Sequence, residues 1–192
     1  MVFRFKIKID DIKTPQVWRV IDVPASWSFE KFNEVIQVAF GWQNAHLWEF
    51  SDKREGYGDG TIRIAEPSEF DAEHDAQTLD AYSTKLSDIF PNFKRLKYIY
   101  DFGDYWQHEI RLIEAIDKNA RKAKCVEGRG TCPPEDCGGT GGYEEMKKAF
   151  KKETEEVESY REWLGFDENE TWDPDGFNLK GTNEELRYVL PY

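Results

Sequence analysis

Phe3-Arg4-Phe5-Lys6-Ile7-Lys8-Ile9-Asp10 alternates apolar and polar residues without a break. Phe3, Phe5, Ile7 and Ile9 fall on one side; Arg4, Lys6, Lys8 and Asp10 fall on the other. Period-two alternation marks a strand with one buried face, so this start reads as a strand and not as a signal peptide. A polar turn over 10–16, containing Pro15, leads into Val17-Trp18-Arg19-Val20-Ile21-Asp22-Val23. The two runs predict a hairpin. Beyond it, Ser28 suits a helix N-cap and Glu30 its first turn. Phe29, Phe32, Ile36, Ala39 and Phe40 then recur at helical spacing until Gly41, which predicts an amphipathic helix over 29–40 that covers the sheet.

The pattern continues outward. His46–Phe50 alternates as a strand, and a Gly-rich turn at 56–60 leads to a strand at Thr61–Ile64. Residues 65–82 are polar and acidic and read as a surface loop. Ser83 is a cap for a short helix running to Phe90, where Pro91 stops it. Lys94–Tyr100 and Tyr105–Ile116 are strands around the turn Asp101-Phe102-Gly103-Asp104. Leu96, Tyr98 and Tyr100 share a face of the first; Trp106, His108, Ile110, Leu112 and Glu114 share a face of the second. Residues 117–143 are irregular. Met146, Phe150, Val157, Tyr160 and Leu164 form a helical stripe, and a short helix is expected at Asn183–Val189.

This order predicts an α+β fold: a mixed or antiparallel sheet of hairpins with a helix packed across it, plus a C-terminal helical segment. A β-grasp-like sheet fits it. One domain over 1–192 is expected. It comprises an N-terminal strand-strand-helix unit, a central hairpin at 94–116, a Cys/Pro/Gly loop at 117–143 and C-terminal helices over 144–192.

A chain of 192 residues can bury an adequate core without disulfides. Seven Trp, nine Tyr and thirteen Phe supply that core and argue against disorder. The net charge of −12 opposes nucleic acid, whose phosphates demand a basic footprint. The clusters Lys94-Arg95-Lys97 and Lys118–Lys124 read first as solvated faces, with a nucleic-acid-binding accessory role as an alternative. No apolar run approaches the length of a membrane span. Three cysteines in a chain read as unexported fit a reducing cytoplasm.

The polar residues allow several chemistries. Asp101 and Asp104 flank a tight turn, with His108 and Glu114 on the strand that follows. Together they could serve acid–base or metal chemistry in a hydrolase or nuclease-like enzyme. The plainer reading has both aspartates bonding backbone N–H groups of the turn and His108 as a hydrogen-bonded core residue. Cys125, Cys132 and Cys137 lack the tight pairs that zinc sites favour. Zinc is the one candidate cofactor, with His108 or His46 as fourth ligand; otherwise the thiols are reduced and partly buried. Gly138–Gly142 precedes a helix expected from Glu144, but no P-loop lysine follows, and Glu135, Asp136, Glu144 and Glu145 oppose a phosphate. Asp101-Phe102-Gly103 stands without the other kinase motifs. Tyr100, Trp106, Glu135, Asp136 and Tyr143 are the candidate binding residues, on a surface joining 98–114 to 125–143.

Two segments carry a resemblance. They are Tyr98-Ile99-Tyr100-Asp101-Phe102-Gly103-Asp104-Tyr105-Trp106-Gln107-His108-Glu109-Ile110 and Cys132-Pro133-Pro134-Glu135-Asp136-Cys137-Gly138-Gly139-Thr140-Gly141-Gly142-Tyr143. With Pro15–Arg19, Gly41–Leu47, Trp163-Leu164-Gly165 and Phe177-Asn178-Leu179, the sequence closely resembles the plasmid pRiA4b ORF-3-like family. The resemblance implies association with plasmids and mobile elements, and it assigns no catalytic residues. Names in the family suggesting a transposon resolvase find no support, since no nucleophilic serine stands beside an arginine cluster. The expectation is a protein-interaction or accessory module with an unknown protein partner, the acidic surface favouring a basic one.

Overall fold

The computed structural model describes residues 1–52, 61–67, 77–167, 170 and 172–190. Its centre is the opening hairpin. Strands β1 (Val2–Ile9) and β2 (Trp18–Pro24) pair antiparallel with Phe5 opposite Ile21. Phe3, Phe5, Ile7 and Ile9 are buried. The sheet grows from this pair through β3 (Trp48–Ser51), β4 (Ile62–Ala65), β5 (Gln77–Asp80), β6 (Arg95–Tyr100), β7 (Trp106–Ile116) and β8 (Lys124–Arg129). Eight strands form one sheet in the order β5-β4-β3-β6-β7-β1-β2-β8. Only the β4–β5 pair is parallel. The α+β class therefore holds.

Helix α1 (Phe29–Phe40) starts and stops where its sequence dictates. The Ser28 side chain accepts from the Lys31 amide, and Gly41 closes the helix with φ of 93°. Its apolar stripe meets the sheet through Phe32, whose ring lies 4.8 Å from Phe5 and 5.6 Å from Phe50. Each such buried ring contributes about 2–3 kcal/mol of transfer free energy. The same helix carries buried polar groups toward its C-terminus. Tyr98 donates to Asn33 at 2.6 Å, Gln37 donates to the Tyr98 hydroxyl at 2.9 Å, and the Asn44 amide donates to Gln37 at 3.0 Å. This network fixes the 41–47 loop against β6.

Several expected elements shift. The short helix α2 spans Leu86–Ile89 and is capped at Lys85, not Ser83. Two strands lie in segments expected to be loops: β5 within 65–82 and β8 within 117–143. The Gly-rich turn expected at 56–60 lies outside the described residues. Helix α3 (Gly139–Lys152) begins at the glycines and not at Glu144, because Gly139–Gly142 form its first turn. The stripe that continues it breaks into α4 (Val157–Leu164), and α5 (Leu179–Glu185) runs into a 3-10 turn at Leu186–Tyr188.

The ends of the sheet are tied down. Arg19 is buried and donates to the carbonyls of Ala39, Trp18, Arg129 and Gly130. Its guanidinium also lies 3.9 Å from the Phe177 ring centre. Arg19 thus satisfies a carbonyl in the last turn of α1, which has no partner further along the helix. At the β8 edge, the Cys125 amide donates to the Asn183 side chain at 3.0 Å, and Asn183 donates back to the Cys125 carbonyl at 2.9 Å.

Candidate functional site

The sheet order places the start of β3, the end of β6 and the start of β7 together, since Trp48 pairs with Tyr100 and Tyr100 with Trp106. Three loops meet there: 41–47, 101–105 and 133–138. Trp42 donates its indole N–H to the Pro133 carbonyl at 2.9 Å. The Gln43 amide and the Tyr100 hydroxyl both donate to Glu135 Oε1, at 2.8 and 2.9 Å. The Ala45 amide donates to the Tyr100 hydroxyl at 3.0 Å. Burial, followed by the neighbouring Glu135 carboxylate, pushes the Tyr100 phenol well above its ordinary value, so it stays a donor.

His46 sits among the acids these loops carry. Its Nδ1 lies 3.8 Å from Asp101, and its Nε2 lies 3.9 Å from Glu135 Oε2 and 3.3 Å from Asp136. His46, Asp101 and Asp136 are the one group of three or more potential metal ligands among the described residues. The surrounding backbone is strained: Asn44, Asp101, Tyr105 and Asp136 all take φ near 56–57° without being glycine. Such residues persist where the surroundings hold them, and they cluster at sites.

The predicted candidates divide sharply. Asp101, Glu135 and Asp136 belong to this cluster, and Tyr100 supports it. Asp101 also holds its own turn, accepting from the Gly103 amide at 2.9 Å. Asp104 accepts from the Gly138 amide at 3.1 Å and pins the cysteine loop to the turn. His108 leaves the expected catalytic set. It is 0% exposed, and its ring packs 5.3 Å from Phe40 and 5.2 Å from Trp42. Its Nδ1 faces only carbonyls, of Trp106 at 3.1 Å and Tyr98 at 3.3 Å, so that nitrogen carries the proton. Burial lowers its pKa to about 4.

Glu114 also leaves the set, because the strand bulges. The β1–β7 register passes from Phe5 opposite Leu112 to Arg4 opposite Glu114, leaving Ile113 unpaired. One extra residue turns Glu114 to the face of Arg4. There it is 54% exposed and bonds Arg4 at 2.9 Å. It stands six residues beyond His108, roughly 20 Å along the strand. Asp101, Asp104, His108 and Glu114 therefore form no common site.

The candidate thiol ligands are not gathered with His108 into one group. No potential ligand group among the described residues includes Cys125, Cys132, Cys137 or His108. Burial raises all three thiols, Cys125 to about 11 and Cys137 to about 12. Trp106 and Tyr143 are core residues; the Tyr143 hydroxyl donates to the Thr131 carbonyl at 2.7 Å. Three of the seven basic residues in the two clusters pair with acids of the chain: Lys97 with Asp10, Arg95 with Glu109 at 3.8 Å, and Lys118 with Asp22 at 3.0 Å. His46 is the residue that the pattern places wrongly, as a spare zinc ligand on a strand. The Gly41–Leu47 motif around it is the available signal.

Fold and site thus define a single-sheet α+β protein with a histidine–carboxylate cluster where three loops meet. The chain belongs to the plasmid pRiA4b ORF-3-like protein family, whose model matches residues 1–181. It is 33% identical over 166 residues to the uncharacterized protein y4hQ of Sinorhizobium fredii (strain NBRC 101917 / NGR234), covering 85% of this chain and 81% of that one. It is also similar to the crystal structure of the protein of unknown function MM3350 from Methanosarcina mazei Go1. That match has a TM-score of 0.78 and 35% identity, and it covers 94% of this chain and 95% of the other. No described helix is long and apolar enough to cross a membrane.

Proposed function

We propose that the protein is an accessory module that binds another protein through the rim of the three-loop cluster. One observation carries this reading: large apolar side chains stand exposed where the cluster meets solvent. Leu47, next to His46, is 69% exposed, and Phe102, next to Asp101, is 37% exposed. Their loops are joined by the Asp101 amide, which donates to the Leu47 carbonyl at 2.9 Å. Exposed apolar groups beside fixed charge are what a docking surface offers. The carboxylates and the net charge of −12 favour a basic partner segment. The dispersal of Asp101, Asp104, His108 and Glu114 removes the support for a hydrolase built on that set.

Affinity capture from an extract of the source organism tests the reading. The wild-type chain should retain a partner that high salt releases, and the Leu47→Glu/Phe102→Glu variant should not. Retention of the same proteins by both chains overturns it. So does hydrolysis of ester, phosphoester or peptide substrates by the wild type that is lost in Asp101→Asn.

A further inference from the structure

We infer that a cationic track, at the end of the sheet remote from the three-loop cluster, binds the phosphodiester backbone of a single nucleic-acid strand. This second surface is independent of the binding-module reading.

Two adjoining hollows form the track. One, of about 490 Å³, lies where the 117–123 loop meets the start of β8 and the 3-10 turn; Lys118, Arg121, Lys122, Lys124 and Arg187 line it. The other, of about 410 Å³, lies beside the start of α1 and carries Lys31 and Lys85. Ala120 and Arg121 line both. Some of this charge is already matched. Lys31 pairs with Glu34 at 2.8 Å, and Lys118 pairs with Asp22 at 3.0 Å. Asp22 is the one acid among the residues lining either hollow, and Arg4 also holds it, at 2.7 Å. Lys85, Arg121, Lys124 and Arg187 are exposed and have no ion pair among the described residues. A cleft lined by one sign of charge focuses its field on a ligand of the other sign.

The backbone that carries these cations is fixed before a ligand arrives. Lys118 anchors one end of its loop to Asp22, and Lys122 donates to the Arg187 carbonyl at 3.1 Å, tying the loop to the 3-10 turn. Ala123, between Lys122 and Lys124, is buried. Preorganisation of this kind lowers the cost of binding.

The net charge of −12 does not oppose the track locally. β7 runs for 11 residues, from Trp106 at the acidic loops to Ile116 beside the track. That is roughly 33 Å. The screening length at physiological salt is about 8 Å, so the carboxylates of the cluster are out of range. The same acidity selects a single strand over a duplex, which would lie broadly across the surrounding surface. A lone phosphate needs one knot of donors. Here the four unpaired cations are spread over the α2 cap, the loop, β8 and the 3-10 turn, as successive phosphates of a strand require. Tyr188, which follows Arg187, is 79% exposed and offers a ring on which a base can stack.

Fluorescence anisotropy of labelled single-stranded DNA and RNA oligonucleotides tests the inference. At least one of them should bind, and the tighter of the two names the source of the backbone. Four neutralised phosphates on a single strand should weaken binding about fifty-fold between about 50 and 200 mM salt. Arg121→Glu/Arg187→Glu, which breaks no side-chain bond within the chain, should weaken it by at least about tenfold. Lys94→Glu/Arg95→Glu, at the other basic cluster, should leave it unchanged. A neutral peptide nucleic acid of the same sequence should not bind. No binding of either strand at low salt overturns the inference, as does binding that salt leaves unchanged. So does unchanged affinity in Arg121→Glu/Arg187→Glu with wild-type circular dichroism, or an equal loss in both double variants. Preference for a duplex, or displacement of the strand by equimolar inorganic phosphate at constant ionic strength, overturns it too.

Discussion

His108 shows how much one buried side chain can set the pH behaviour of a fold. Its pKa is lowered to about 4 by burial, against 6.5 for a free imidazole. The unfolded chain therefore takes up a proton between pH 6.5 and 4 that the folded chain refuses. The associated stability is fully present above pH 6.5 and is lost progressively as pH falls toward 4, by on the order of 3 kcal/mol. Urea denaturation at a series of pH values should show that loss in the wild type and a flatter profile in His108→Gln. Asp22 acts in a lower window. Burial opposes its ionisation, but hydrogen bonds from Arg4 and Lys118 prevail and hold its pKa below the ordinary value. Its contribution persists until the pH falls below that of a free carboxylate. The two acid transitions are thus separable by residue.

The elements differ in how openly the sequence declares them. β1 and α1 are declared fully, because each has one wholly buried face and a clean period; Ser28 and Gly41 even mark the helix ends. β8 is hidden because it lies at an edge. Lys124-Cys125-Val126-Glu127-Gly128-Arg129 buries Cys125 and leaves Val126 partly exposed, with charges at both ends. β5 is four residues long, and its alignment with β4 is decided by tertiary pairing. The bulge at Ile113 is hidden for a different reason: period-two reasoning assumes unbroken register, and nothing in Leu112-Ile113-Glu114 announces the extra residue. The first turn of α3 offers a sharp contrast between two neighbouring glycines. A Cβ on Gly142 would run into the Cys137 carbonyl oxygen, whereas one on Gly141 meets nothing within 4 Å. Gly142→Ala should destabilise by about 1–3 kcal/mol. Gly141→Ala should be neutral or stabilising by up to about 1 kcal/mol. Thermal unfolding of the two variants checks both.

At the scale of the whole molecule, the candidate site exists because the sheet order carries distant segments to one end. Gln43 and Glu135 are 92 residues apart in the chain yet share a hydrogen bond. The sequence singles out both motifs and most of the acids, but adjacency of loops is a property of strand order, which local patterns do not encode. His46 is hidden for the same reason, since nothing beside it in the chain shows which acids it will face. Strand order also leaves a sheet of eight strands with open edges, and at one of them a single amide intervenes. Asn183 offers Cys125 the donor and acceptor that a neighbouring strand would have supplied. Asn183→Ala should therefore give a chain that self-associates with rising concentration, measurable by sedimentation velocity, while the wild type stays unchanged. Asn183 is then a stopper against polymerisation: it occupies the Cys125 amide and carbonyl, a valence through which a second molecule could extend the sheet at that edge.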